Sequence, residues 1–567
     1  MSLGRAEGFT GENVPKSGSK YKRPTFCHRS RRRFRRRSLF SILKGFEYVV
    51  NVEKRDVASP ELVAVLDMGA SAIRLVIGEV GRDRKVRTIE EASRGVLLGR
   101  DTFSSGTIRS GTIDAALAAL ENFRHIIDNY HVARIRAVAT SAVREARNVD
   151  LFLDRIQRRT GIAFAILDEA EESRLVFLAV QPALGRAAAW TLLTEVGGGS
   201  TSLMLLHQGE PNRSAVYALG AIRLRQQLAL HRLTHDVQLA LLKRTVANVI
   251  EEIRLDNPLR RVTEMVAIGG DVRFAASQIL DDGDDDGVRE IPREAFLAFC
   301  DEVERLDEDQ LVDRFRLPAV EAQTLVPSLL VYRTLLSETA ATQLVVSDAS
   351  LRTGILLDMV DPGGGFRPEA FERQVLASAE ALGHKHRFDR AHGRHVSALA
   401  TQMFDALEEE HGLGARERLL LQVAALLHDI GIYVSLRAHH KHSQYLLAAS
   451  QIFGLSNEET AIVANIARYH RRGLPQKSHL PYISLNRHAR LVVDKLAALL
   501  RVANALDAEH LQKVKTLRVR RHGGSWILEL EGTGDLTMEL LAATARGDMF
   551  AETFGQELIV RRGGAHA

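Results

Sequence analysis

Two stretches of this chain follow one template, and that repetition constrains the fold more than any other feature of the sequence. Residues 62–66 (LVAVL) form an apolar run that ends in Asp67-Met-Gly69, and Ala72–Val80 reads as a returning strand. Residues 190–194 form a second apolar run that ends in Glu195-Val-Gly197, and Thr201–His207 returns. Each copy is a strand, an acid, any residue, a glycine, a small polar turn and a strand. The spacing from acid to glycine is the same in both. Two such hairpins predict an internal duplication, with two half-domains facing each other.

The segments between and after the hairpins set the class. Residues 85–95 read as a third strand, 113–130 carry apolar residues at helical spacing, 134–139 are a strand and 150–159 a helix. Residues 162–167 are again a strand and 170–180 a helix. Mixed strands and crossover helices predict α/β architecture. A third glycine turn, Gly269-Gly270, follows the apolar run 265–268. The acidic stretch 281–286 reads as an exposed loop. Residues 361–368, with three consecutive glycines between prolines, read as a linker. Beyond it the chain turns helical and rich in histidine, and from about residue 517 strand-like alternation resumes. The expected organisation is a basic tail (1–59), lobe I (60–189), lobe II (190–360), a helical domain (370–512) and a small α/β C-terminal element (513–567).

Glycines let backbone approach an anion closely and take positive φ, and consecutive turn N–H groups with Ser/Thr hydroxyls make a cationic nest. Gly69, Ser71 and the neighbouring Arg74, with Gly198, Gly199, Ser200 and Thr201, are the expected phosphate-binding residues. An acid just before each turn would repel phosphate unless a cation intervenes, so Asp67 and Glu195 read as Mg²⁺ ligands.

The net charge of +5 misleads. Residues 1–46 carry thirteen Lys/Arg against Glu7 and Glu12, or +11, which leaves −6 for the remainder. The block Arg29-Ser-Arg-Arg-Arg-Phe-Arg-Arg-Arg37 repels itself and lacks apolar periodicity, so it is expected to be disordered. It either serves as a polyanion-binding arm or has no role of its own. Cys27 and Cys300 are the only cysteines. They make neither a disulfide framework nor a thiolate site, which points to a cytoplasmic protein. No apolar run approaches the ~20 residues of a membrane span.

Three stretches carry a family resemblance: Ala137-Val-Ala-Thr-Ser-Ala-Val-Arg-Glu-Ala-Arg-Asn148, Glu171-Glu-Ser-Arg-Leu175 and Gly197-Gly-Gly-Ser-Thr201. They resemble the Ppx/GppA phosphatases, the exopolyphosphatase and guanosine pentaphosphate hydrolase family. The resemblance implies a duplicated actin-like fold of the acetate kinase–heat-shock-ATPase kind and hydrolysis of polyphosphate or guanosine polyphosphates. It also implies Mg²⁺ between the lobes and a homodimer. Glu172 matches the carboxylate that orients and deprotonates the attacking water, and Arg144 an arginine that grips phosphate. Departures are visible. Gly69-Ala-Ser-Ala72 stands where the family has Gly-Ser-Asn-Ser, and Glu195 where it has Asp. Asp271 stands where it has Thr, and residues 168–170 where it has Ser-Gly-x. These losses of donors favour a second reading, a polyphosphate or guanosine-polyphosphate binding sensor.

The helical region resembles an HD-type domain. Residues 419–427 form an apolar helix ending in His428-Asp429, and His392 matches the first histidine of such domains. The resemblance implies His392, His428 and Asp429 as ligands of a second divalent metal, with His442 and His470 as additional phosphate or second-metal ligands. Asn504 stands where the last aspartate is expected, and Asp507 lies three residues on. HD-type phosphohydrolase activity is thus a third reading, and a helical bundle with structural histidines is its alternative.

Overall fold

A computed structural model describes residues 61–81, 85–184, 188–228, 233–280, 287–360, 368–471 and 473–563. The basic tail, the acidic loop 281–286 and most of the 361–368 linker lie outside the described residues.

The first sheet contains β1 (Glu61–Met68), β2 (Ala72–Val80), β3 (Val86–Gly95), β4 (Arg134–Ala139) and β5 (Phe164–Ile166), in the order β3-β2-β1-β4-β5. The second contains β6 (Trp190–Val196), β7 (Thr201–His207), β8 (Glu210–Tyr217), β9 (Glu264–Ile268), β10 (Val288–Pro292) and β11 (Gln343–Ser347), in the order β10-β11-β9-β6-β7-β8. In each, an antiparallel three-strand meander is followed by parallel strands laid against its first member. The second sheet therefore repeats the first, with β10 added at its edge. This is the predicted duplication: an α/β, two-lobed, actin-like fold.

Period-2 alternation explains how each first strand is buried on both faces. Ala64, Leu66 and Met68 of β1 point into the core of lobe I, beside Ile73, Leu120, Phe123 and Phe152. Val63 and Val65 point the other way, into a core shared with Leu193, Met204, Val266 and Val345 of the second sheet. Two helices fill that shared core, Glu169–Val180 and Leu351–Val360. They meet so closely that a Cβ on Gly354 would stand 1.9 Å from the Leu175 carbonyl oxygen. The second helix lies in the stretch assigned to lobe II, yet it packs on β1 and β2 as well.

After the linker the chain is helical from Pro368 to Ala505, and then forms β12 (Val514–His522), β13 (Ser525–Gly532) and β14 (Leu558–Arg562). One continuous core runs from Val375 through Leu500 to Leu528, Phe550 and Leu558. The C-terminal sheet is thus part of the helical domain's core rather than an independent element. Among the described residues, no helix is long and apolar enough to cross a membrane.

Candidate active site between the lobes

The two glycine turns close in the same way. Gly69 N–H donates to the Ala72 carbonyl at 3.0 Å, and Gly197 N–H to the Ser200 carbonyl at 2.9 Å. Asp67 stands opposite Arg74 across β1–β2, and Glu195 opposite Ser202 across β6–β7. Both turns line one cleft of about 520 Å³, and the Gly269-Gly270 turn with the starts of helices Gly270–Ile279 and Leu351–Val360 also lines it. Helix N-termini and turn N–H groups favour anions there.

The glycines are needed for a reason other than the predicted one. None of Gly69, Gly197, Gly198 or Gly199 has positive φ. A Cβ on Gly199 would stand 2.2 Å from Ser141 Oγ and 2.7 Å from Phe103, and one on Gly198 would stand 3.1 Å from Ala70 Cβ. Close packing of lobe II against lobe I demands Gly198 and Gly199, and Ala70, the neighbour of Gly198, is buried by it.

Five acidic side chains line the cleft: Asp67, Glu172, Glu195, Asp271 and Glu321. Glu172 sits in the first turn of helix Glu169–Val180, whose N-cap Asp168 accepts from Glu171 N–H at 2.8 Å. Asp168 therefore does the capping work of a serine. Burial pushes the Glu172 carboxyl up to about 7; Arg144 pulls it down, while Glu195 and Asp67 add to the rise. Glu195 is likewise pushed up to about 7 by burial and by Asp67, against Arg273, Arg352 and Arg74. Asp67 pairs with Arg352 at 3.1 Å. Asp271 accepts from Thr324 at 3.1 Å and from Ser328, and burial raises it too.

Two expected phosphate contacts fall elsewhere. Thr201 is fully buried, and its hydroxyl donates to the Leu219 carbonyl at 2.6 Å, so it is spent on the fold. Arg144 does not line the cleft. It donates to the Leu167 carbonyl at 2.6 Å and pairs with Glu172 and Glu169, each at 3.5 Å. Its guanidinium thus faces the Glu172 carboxylate. Gly69, Ser71, Arg74, Gly198, Gly199 and Ser200 do line the cleft. So do Arg273 and Arg352, which sequence reasoning missed. Their only local signal is position: each lies in the first residues of a helix that follows a parallel strand, the end of the sheet where ligands bind.

Residues 76–362, just over half of the chain, match the model of the Ppx/GppA phosphatase family. The chain belongs to the Ppx/GppA phosphatase family. Residues 375–541 match Ppx/GppA phosphatase domain III, a span that covers both the helical region and much of the C-terminal sheet. A guanosine-5'-triphosphate,3'-diphosphate pyrophosphatase of Vibrio parahaemolyticus is 23% identical over 465 residues, 78% of this chain and 87% of the relative. Exopolyphosphatase 1 of Mycobacterium leprae is 32% identical over 165 residues, 29% of this chain and 49% of that protein. The crystal structure of an exopolyphosphatase from Cytophaga hutchinsonii shares the fold, with a TM-score of 0.50 and 23% identity over 53% of this chain and 98% of that one.

In the domain III region of this Ppx/GppA protein, His392, His428 and Asp429 do come together. His470 joins them, with its Nε2 3.3 Å from Asp429 Oδ1. His442 does not, and the correction is one helical turn: His439, the first residue of helix His439–Ala448, is buried and places Nε2 3.1 Å from Asp429 Oδ1. Asp507 does not replace Asn504. It binds the far nitrogen of His392, Nδ1, at 2.8 Å, while Asn504 Oδ1 itself lies 3.1 Å from His392 Nε2.

Proposed function

We propose that this protein hydrolyses the terminal phosphoanhydride bond of inorganic polyphosphate and/or guanosine pentaphosphate in the cleft between its lobes. One observation carries the reading: a carboxyl buried until it titrates near neutrality, Glu172, lines the same cleft as two glycine turns and three arginines. A general base works best with a pKa near the working pH. The names of the relatives supply the two substrate classes.

The donor set also fits a Mg²⁺ ion. Asp67 and Glu195 offer hard carboxylate oxygens, and their mutual repulsion raises Glu195 even with three arginines near. Mg²⁺ held by Asp67 and Glu195 would supply charge neutralisation at phosphate oxygens. The chain's own residues do the rest. The turns at Gly69–Ser71 and Gly198–Ser200 orient the terminal phosphoryl group with backbone N–H groups. Arg74, Arg273 and Arg352 balance its negative charge, and Glu172 takes the proton of the attacking water at its carboxylate. Arg144 opposes the rise of Glu172 and so keeps part of it ionised at neutral pH.

Phosphate release from long-chain polyphosphate and from guanosine pentaphosphate, with Mg²⁺, tests this for the wild type and Glu172→Ala. Loss of the base is expected to lower the rate ~10²–10⁴-fold. If the wild type releases no more than the variant while still binding either compound, the cleft is a sensor and hydrolysis there is wrong.

A further inference from the structure

The third glycine turn is held by hydroxyls from a single helix. Helix Ala319–Glu338 carries Thr324, Ser328 and Tyr332 at intervals of four residues, which sets them in a row on one face. Thr324 lines the cleft, and Ser328 and Tyr332 are fully buried behind it. The Thr324 hydroxyl donates to Asp271 Oδ1 at 3.1 Å, and the Ser328 hydroxyl donates to Asp271 Oδ2. The Tyr332 hydroxyl donates to the Ile268 carbonyl and accepts from the Val196 N–H at 2.8 Å.

Tyr332 is a wedge. Strands β6 and β9 pair in parallel as far as Glu195 opposite Ile268. The next bond of a parallel ladder would run from the Val196 N–H to the Ile268 carbonyl. The phenol oxygen stands between those two groups and satisfies both. It spreads the strands where each enters its glycine turn, Gly197–Ser200 after β6 and Gly269-Gly270 after β9. Gly269 completes the fit: its φ is 132°, and a Cβ there would stand 3.0 Å from the phenol oxygen. Glu195 directly precedes Val196, so the wedge also sets where that carboxylate enters the cleft.

The other two hydroxyls let an acid stand beside an anion site. Each oxygen of Asp271 takes one of them, which turns its negative charge toward helix Ala319–Glu338. No side chain caps helix Gly270–Ile279. Its first N–H groups are thus left to the cleft that Gly270 lines.

We propose that Tyr332, Ser328 and Thr324 are positioning residues, a hydroxyl ladder that holds the two lobe II turns and Glu195 at the separation one phosphoryl group needs. Asp271 is the anchor of that ladder and not a ligand of phosphate. This role rests on hydrolysis in the inter-lobe cleft.

The full-length wild type is compared with Tyr332→Phe, Thr324→Val, Thr324→Ser and Asp271→Ala, all with Mg²⁺. Phosphate release from polyphosphate and guanosine pentaphosphate gives kcat and KM. Calorimetric titration with methylenediphosphonate, whose P–C–P bridge is not hydrolysed, gives affinity. Tyr332→Phe removes one oxygen and keeps the ring. It is expected to lower kcat about 10²-fold, as a displacement of about 1 Å does, and to weaken methylenediphosphonate binding only about ten-fold. Thr324→Val should shift both in the same direction, Thr324→Ser should restore them, and Asp271→Ala should lower kcat without lowering KM. Wild-type kcat and affinity in Tyr332→Phe, or a change confined to its thermal midpoint, overturns the ladder. A lower KM at unchanged kcat in Asp271→Ala shows a carboxylate that repels phosphate and overturns the anchor. A wild type that binds methylenediphosphonate but releases no phosphate ends the hydrolysis reading, and the affinity lost or kept in Tyr332→Phe still decides the ladder.

Discussion

Arg144→Met separates two roles for one guanidinium. In the wild type, Arg144 Nη1 lies 3.5 Å from Glu172 Oε2, and both side chains are less than a fifth exposed. At an effective dielectric constant of about 20, opposite charges at that distance attract by about 5 kcal/mol. Water entering the cleft and the remaining arginines offset part of that, leaving the ~1–3 pKa units usual for a carboxylate beside arginine. The Glu172 carboxyl, now pushed up to about 7, would then titrate near ~8–10. A raised acid stays protonated over a wider range, so the base is lost at low pH and recovered above the new pKa. At pH 7 the ionised fraction falls from about five-fold to several hundred-fold. The assay is phosphate release against pH, read as kcat/KM, whose acidic limb reports the free enzyme's base. The limb should move up by at least about one unit, with activity regained at pH 9 or above. If the limb stays near neutrality and KM rises equally at every pH, Arg144 grips the substrate and its assignment as a partner of Glu172 is wrong.

Three further outcomes follow from the same geometry. Glu195 is raised from 4.5 to about 7 in the fold, so its ionisation costs stability as pH rises through that window, and its contribution is neutral below 4.5. In chelator, Glu195→Gln should leave the thermal midpoint unchanged near pH 4 and raise it above pH 7, by up to about 3 kcal/mol in stability; an equal offset at both pH values would exclude the effect. Gly354→Ala places a methyl 1.9 Å from the Leu175 carbonyl oxygen, which should destabilise the protein by ~1–3 kcal/mol and, by moving the helix that carries Glu172, lower kcat in the phosphate-release assay. Asp168→Ala removes the N-cap of that helix and should cost about 1 kcal/mol by denaturant titration, with Asp168→Ser restoring it.

Much of the site was legible because its signals are local. An acid, a glycine and two flanking apolar strands lie within residues 62–80 and again within 190–207, and a local hydrogen bond closes each turn. His428-Asp429 stood out as the end of an apolar helix, whereas Glu172 came from the resemblance carried by Glu171-Glu-Ser-Arg-Leu175. The expectations that failed depend on partners distant in sequence. Whether Thr201 faces a ligand or the Leu219 carbonyl depends on how β7 meets the loop after β8. Which histidine of the 439–442 run turns inward depends on Ala438, whose left-handed backbone starts the helix and places His439 first. Local spacing holds no record of either.

The sequence by itself determined the duplicated α/β architecture, the two glycine turns and the identity of the acid at each, because strand period, turn chemistry and side-chain type act over a few residues. Only the tertiary structure decided what those residues meet. Arg352 reaches Asp67 across 285 residues of chain, Arg144 turns to Glu172 instead of the cleft, and Asp507 binds the outer nitrogen of His392 across 115 residues. The physical reason is that a charge's role depends on distance and burial, and both are fixed only when the two lobes and the helical domain pack.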